Sequence, residues 1–251
     1  VQDFSDAQVR EIKTILSDAG IAACSMGSPF GKCELDNGRE VAQHMDILRR
    51  CCDIGLQLGC TLVRGFAFWD RKQIGEKPWD AMLAAYDPVL DILEDKGCVL
   101  GLENEAACYV GEARHTRHFL DALGSGRVKA IWDPANHIQD PQSEGCPSFP
   151  DGYSAIKPDL VHVHVKDAAP DGEGRRPNCF LGEGLAQWPK QLQALKNDGY
   201  AGYISLETHV KPGSLTPALR ERYGRYLGED ERESASKICL AWLRDTMDAL
   251  D

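Results

Sequence analysis

Apolar residues along the chain follow two spacings in turn. Helical spacing, with apolar positions three and four apart, runs through residues 5–19, 39–59, 79–97, 116–124 and 187–199, and through the last stretch, about 230–249. Between these lie short, nearly continuous apolar runs: IAACSM (21–26), CTLVRGFAF (60–68), CVLGLE (98–103), VKAIWD (128–133), DLVHVHV (159–165) and YISLE (203–207). Such runs predict strands covered on both faces of a sheet. Ser5 or Asp6 caps the first helix, Gly20 stops it, and Pro88 predicts a kink in the third.

The ends of the apolar runs recur every 30 to 42 residues, each followed by a helical segment. That alternation predicts a parallel sheet with helical crossovers. A doubly wound sheet normally carries a glycine-rich phosphate loop after its first strand, and GSPFGK (27–32) lacks that spacing. A TIM (β/α)8 barrel is therefore favoured, as a single domain over residues 1–251. Six strands are visible where such a barrel needs eight. The chain opens on VQDF directly before a helix. The expectation is that the first strand, the first helix and most of the second strand lie outside this sequence, with Val1–Phe4 a remnant. A six-stranded sheet is the alternative.

Composition narrows the function classes. With 43% hydrophobic and 27% charged residues, the chain is of ordinary globular type. The net charge of −11 argues against a nucleic-acid partner, which calls for a basic stripe. No apolar run reaches membrane-spanning length and no signal peptide opens the chain, so no membrane partner is expected. The ten cysteines include no C-x-x-C pair and several sit in apolar runs, which predicts buried thiols without disulfides in a cytoplasmic protein.

In a barrel of this kind, chemistry belongs at the C-terminal strand ends. Those ends carry Glu103, Asn104 and Glu105; Asp133, Asn136 and His137; His164, Lys166 and Asp167; and Glu207 and His209. Four consecutive strands thus end in a potential metal ligand. Taken singly, each has a plain explanation as a loop residue, a turn or a cap. Together, they point to a shared cation, because unpaired buried charge is expensive. His162 shares the face of His164 one layer deeper and is expected to be structural.

LGLENE, WDPAN (132–136), HVHVKDA, the GEG of 182–184 and GYISLETH resemble the xylose isomerase-like TIM-barrel family of sugar phosphate isomerases and epimerases. GSPFGK and VRGFAFW resemble its third and fourth strand loops. The resemblance implies metal ligands at Glu103, Asp133, His164 and Glu207. Family members often carry His three residues after the ligand Asp, where this chain has Asn136. Three oxygens and one nitrogen suit one divalent ion, Mn²⁺ first, with Mg²⁺, Co²⁺ or Zn²⁺ as alternatives.

The resemblance further implies that Glu103 and Glu207 act as base and acid on opposite faces of a ketose, keto-sugar or sugar phosphate. The α-proton is removed through a metal-stabilised cis-enediolate, giving isomerisation or epimerisation. A lyase using the same proton abstraction, such as a keto-cyclitol dehydratase or a 3-keto-glycoside eliminase, is the alternative. A repair nuclease wants more histidines and a basic face. Intact Glu103 and Glu207 speak against a non-catalytic binding protein.

Lys166 is expected either to meet a substrate oxygen or to pair with a site carboxylate. Arg64, on one face with Phe66 and Phe68, has the same two alternatives. His209, Asn104, Asn136 and Glu105 are further candidates for substrate contact. Lys32 is expected to be solvated, and Glu183 to sit on a rim or a plain turn. The partner is a small sugar, and the reading allows a homo-oligomer.

Overall fold

The computed structural model describes residues 1–71 and 76–250. In chain order its elements are α1 (Asp6–Asp18), α2 (Gly38–Gln57), β1 (Leu62–Gly65), α3 (Trp79–Lys96), β2 (Val99–Glu103), α4 (Ala113–Leu123), β3 (Val128–Trp132) and α5 (Pro134–Gln139). They continue with α6 (Tyr153–Ile156), β4 (Leu160–Val165), β5 (Asp167–Ala168), β6 (Asn178–Cys179), α7 (Trp188–Asn197), β7 (Tyr203–Leu206), α8 (Pro217–Tyr223) and α9 (Glu231–Asp248). Strands β1, β2, β3, β4 and β7 form, in that order, one parallel sheet that curls as part of a barrel, with helices as crossovers. β5 and β6 form a separate antiparallel pair.

Local signals explain most boundaries. Ser5 and Gln8 form a reciprocal capping box at the start of α1. Gly97 and Gly124 end α3 and α4 in left-handed conformations that other residues adopt at a cost. α3 runs as one helix through Pro88. The run 21–26 departs from expectation. It meets β1 only through a bridge between Met26 and Val63, while Ile21 and Ala22 lie exposed. The segment after Asp133 is the short helix α5, with Asp133 as its cap and Pro134 at its first position, where no N–H is needed. α8 was not anticipated, although Thr216 and Pro217 carry the same cap signal.

One connected apolar core fills the space between sheet and helices, with Trp132, Trp188, Tyr86, Phe30 and Phe119 fully buried in it. Two indoles fix α7 beneath the sheet: Trp132 Nε1 donates to Gln191 Oε1 at 2.8 Å, and Trp188 Nε1 donates to the Lys166 carbonyl at 2.9 Å. All ten cysteines are free thiols, eight of them buried. No helix among the described residues is long and apolar enough to cross a membrane.

The strand register sets the site. Arg64 pairs with Gly101, Glu103 with Ile131, Ile131 with His162, and His164 with Ser205. Paired residues of parallel neighbours share a face, and residues two apart on a strand share it too. Arg64, Glu103, Asp133, His162, His164 and Glu207 are thereby brought to one side of the sheet.

Candidate metal centre

The carboxylates of Glu103, Asp133 and Glu207 and the His164 imidazole each offer a ligand atom, and these atoms all lie within 4.8 Å of one another. Glu103 closes β2, Asp133 follows β3, His164 is the penultimate residue of β4 and Glu207 follows β7. The first three are buried, and the Glu207 side chain keeps 25% exposure. The four expected ligands therefore converge.

Each ligand is held from behind. Asp133 Oδ1 accepts the backbone N–H groups of Ala135 and Asn136, both at 2.9 Å. Asn104 brackets the Asp133 backbone: its side-chain amide donates to the Asp133 carbonyl at 2.8 Å and its oxygen accepts the Asp133 N–H at 2.9 Å. Glu103 Oε1 accepts from Asn136 Nδ2 and lies beside His164 Nδ1, each at 3.1 Å. The opposite carboxylate oxygens are different. Glu103 Oε2 and Asp133 Oδ2 are buried and receive no well-angled hydrogen bond. They face only ion-pair contacts, Arg64 Nη1 at 3.4 Å and Lys166 Nζ at 2.9 Å. Buried acceptors left in this state are unfavourable unless a cation joins them. The donor set, with these two oxygens held by charge alone, fits a divalent ion.

The electrostatics agree with a compact charge cluster. Burial pushes the Asp133 carboxyl up to about 6, although the Lys166 charge pulls the other way. Burial opposes a charged His164, but the hydrogen bond and charge of Glu103, with Glu207 and Asp133 behind, raise its pKa. Burial also works against ionised Glu207, yet His164, Lys166 and Arg64 together lower its pKa. Lys166, opposed by burial, is held charged by Asp133 and Glu207.

The remaining candidates divide. Lys166, Arg64 and Asn136 join the cluster, with Asn136 Oδ1 accepting from Lys166 Nζ at 2.9 Å. Lys166 and Arg64 both take the ion-pair alternative. His209 Nε2 stands 3.4 Å from Glu207 Oε2 on a half-exposed side chain. Asn104 is fully buried, with its amide engaged as described. Glu105 pairs instead with Lys32 at 2.7 Å, and Lys32 covers the Phe66 ring. Lys32 is thus partnered rather than solvated. His162 stays below the ligand layer, its Nε2 2.7 Å from Ser205 Oγ. Burial, with His164 beside it, lowers its pKa to about 4. His137 accepts the Ala113 N–H at Nδ1 and lies 2.7 Å from the Cys146 carbonyl through Nε2, tying α4 and α5 to a loop.

The sequence reading gave Asp167 no role. It is buried, and it gathers the backbone N–H groups of Ala168, Gly182, Gly184 and Ala186 at 3.0 to 3.2 Å. A Cβ at Gly184 would run into the Asp167 carboxylate, and one at Gly182 into Trp242, so the GEG glycines serve close packing. The available signal was the pairing of KD with GEG fifteen residues later.

Across residues 1–245 the sequence matches the family model described as xylose isomerase-like TIM barrel. The chain belongs to the xylose isomerase-like TIM barrel family. Solved structures agree in fold. A xylose isomerase-like TIM barrel protein from Mycobacterium smegmatis, in complex with magnesium, superposes with a TM-score of 0.71 at 17% identity, over 100% of this chain and 81% of that one. An L-ribulose 3-epimerase gives 0.71 at 18%, over 98% and 82%. The IolI protein, with a bound zinc atom, gives 0.71 at 14%, over 100% and 84%. At these identities the likeness is one of fold.

Proposed function

We propose that this family member is a divalent-metal-dependent isomerase or epimerase of a ketose, keto-sugar or sugar phosphate, working by α-proton abstraction. The observation that carries the reading is the convergence of four ligand atoms within 4.8 Å of one another, in a cluster where Glu103 and Asp133 each keep one buried oxygen held by charge alone. Glu103, Asp133, His164 and Glu207 would hold the ion, with Mn²⁺ the best match to the donor set. When bound, it supplies Lewis-acid polarisation of a substrate carbonyl. The epimerase fold relative, and the magnesium and zinc in two others, support this choice.

The chain's own residues perform the proton transfers. Glu207 is the more open of the two glutamates and is held ionised by its cationic neighbours, which suits a base. Glu103 is fixed at Oε1 by Asn136 and His164, while its buried Oε2 has no hydrogen bond and faces the Arg64 guanidinium, which leaves that oxygen available to return a proton. Lys166, Arg64 and His209 surround Glu207 and are the candidate contacts for substrate oxygens. Asn136 holds Lys166 and Glu103, Asn104 holds the Asp133 backbone, and Glu105 is engaged by Lys32 away from the cluster. The free thiols are in keeping with a cytoplasmic setting.

The test is solvent deuterium wash-in, run with Mn²⁺ over a panel of ketoses and keto-glycosides. Exchange at a carbon next to the carbonyl is expected for at least one member. Released water or aglycone in place of an isomer would reassign the protein as a lyase. No exchange with any member, despite bound metal, would overturn the enolisation chemistry.

A further inference from the structure

Every carboxylate of the cluster already faces a cation supplied by the chain itself. Lys166 Nζ lies 2.9 Å from Asp133 Oδ2, 3.3 Å from Glu207 Oε2 and 2.9 Å from Asn136 Oδ1. Arg64 Nη1 lies 3.4 Å from Glu103 Oε2 and 3.5 Å from Glu207 Oε1. Three carboxylates this close cannot all stay ionised without such partners. The chain's cations therefore hold open a site that would otherwise lose charge or splay.

The grip of Lys166 on Asp133 is of a particular kind. Asp133 Oδ1 is anchored by two backbone N–H groups, so the carboxylate keeps its place whatever happens at Oδ2. Oδ2 has no well-angled hydrogen bond and is held by charge. Lys166 in turn has an acceptor outside the ligand set, Asn136 Oδ1, and its backbone is fixed by the Trp188 indole. The ammonium can leave the carboxylates without losing its position or its last partner. The Asn136 carboxamide oxygen gives the ammonium a permanent acceptor.

We propose that Lys166 is the resident counter-cation of the metal-free site, and that it yields Asp133 Oδ2 and Glu207 Oε2 to a divalent ion while keeping Asn136. The inference rests on the metal-site reading above. Once released, the ammonium has N–H groups free beside the ligand cluster and becomes the contact for a substrate oxygen. A structural support for Asp133 and a competitor for it predict opposite signs: removing a support weakens metal binding, and removing a competitor tightens it.

The experiment is a Mn²⁺ titration of the wild type, Lys166→Met and Lys166→Arg, followed through the electron paramagnetic resonance signal of the free ion. Lys166→Met is expected to bind Mn²⁺ at least about tenfold tighter, since a neighbouring positive charge is gone. Lys166→Arg, which keeps the charge, is expected to stay near wild type. Equal or weaker binding by Lys166→Met overturns the proposal. A second readout needs only the Lys166→Arg variant for assignment: the side-chain ¹⁵N ammonium resonance of Lys166 should shift when Mg²⁺ is added to the wild type. An unmoved resonance at saturating Mg²⁺ also overturns it. A wild type that binds neither ion strikes the metal reading itself. A wild type that binds, with Lys166→Met no tighter, strikes this inference alone.

Discussion

Asp133 and Asp167 are both buried aspartates at the same end of the sheet, one after β3 and one just after β4. Their oxygens are treated differently. Both oxygens of Asp167 are saturated by four backbone N–H groups from its own strand and the 182–186 loop. Asp133 has one oxygen saturated by the start of α5 and the other left facing an ammonium and three further ligand atoms. Burial raises the pKa of both, so the shift does not separate them. What separates them is whether the protein itself completes the hydrogen bonding. A buried carboxylate completed from within is a rivet, and one left incomplete among like groups is a candidate ligand.

Substitutions can break or sharpen this contrast. The largest effect is expected at the open edge of the incomplete cluster. Glu207→Gln should lower turnover by about a thousandfold or more, beyond what its weakened Mn²⁺ binding explains, and still at saturating Mn²⁺. Undiminished turnover, measured on whichever substrate exchanges deuterium, would remove Glu207 from the proton-transfer role.

Next come the two aspartates themselves. Asp133→Asn should weaken Mn²⁺ binding by about a hundredfold. Its thermal midpoint should hold or rise, because a buried charge is neutralised. Asp167→Asn should do the reverse. Its amide N–H groups would confront backbone donors, so unfolding free energy should fall by about 2 kcal/mol while Mn²⁺ affinity is kept. Calorimetric melting and metal titration on both variants check the pair, and equal loss of metal in the two would erase the distinction.

The two histidines of HVHVKDA extend the same contrast. His164→Ala should lose Mn²⁺ affinity much as Asp133→Asn does. His162→Ala should retain it but lose stability, by about 2–4 kcal/mol in chemical denaturation, through the Ser205 hydrogen bond and the buried ring packing.

The smallest effect is expected at the opposite end of β4. Asp159 pairs there with Arg117 and Lys129 at 2.7 and 2.6 Å. Burial would raise its pKa, but these two partners outweigh burial and hold it below the usual carboxylate range. A depressed folded pKa means that its contribution is fully present above the unfolded carboxylate value and is lost as pH falls through the lower, folded one. The partly exposed pair should contribute under about 1 kcal/mol. Asp159→Asn should therefore lower stability slightly at neutral pH and converge with wild type under strongly acidic conditions. A constant gap in acid titration of the unfolding midpoint would contradict the assignment.

Much of this was legible in the sequence where period and position act locally. Alternation in HVHVKDA put both histidines on one face, and the repeat of strand and helix put Glu103, Asp133, His164 and Glu207 at one level. Register then did what periodicity implied. The illegible parts depend on partners distant in sequence. IAACSM has the composition of a strand, but pairing is a property of the neighbour, and only Met26 finds one. WDPANH ran straight on from a strand; Asp133 before Pro134 read as a turn or a cap, and the structure makes it the cap of a short helix. Lys166 and Arg64 left two alternatives open in the sequence, and only the three-dimensional arrangement places them against the carboxylates. Asp167 was the least legible, because its four donors come mostly from a loop that its sequence neighbours do not announce.

The central claim is that Glu103, Asp133, His164 and Glu207 share one divalent ion. The most direct measurement is a Mn²⁺ titration of the wild type beside a variant carrying both Asp133→Asn and His164→Ala, with folding of each verified by circular dichroism. The account predicts uptake of a single equivalent by the wild type and none by the folded variant. No uptake by the wild type, or equal uptake by the two, would contradict it.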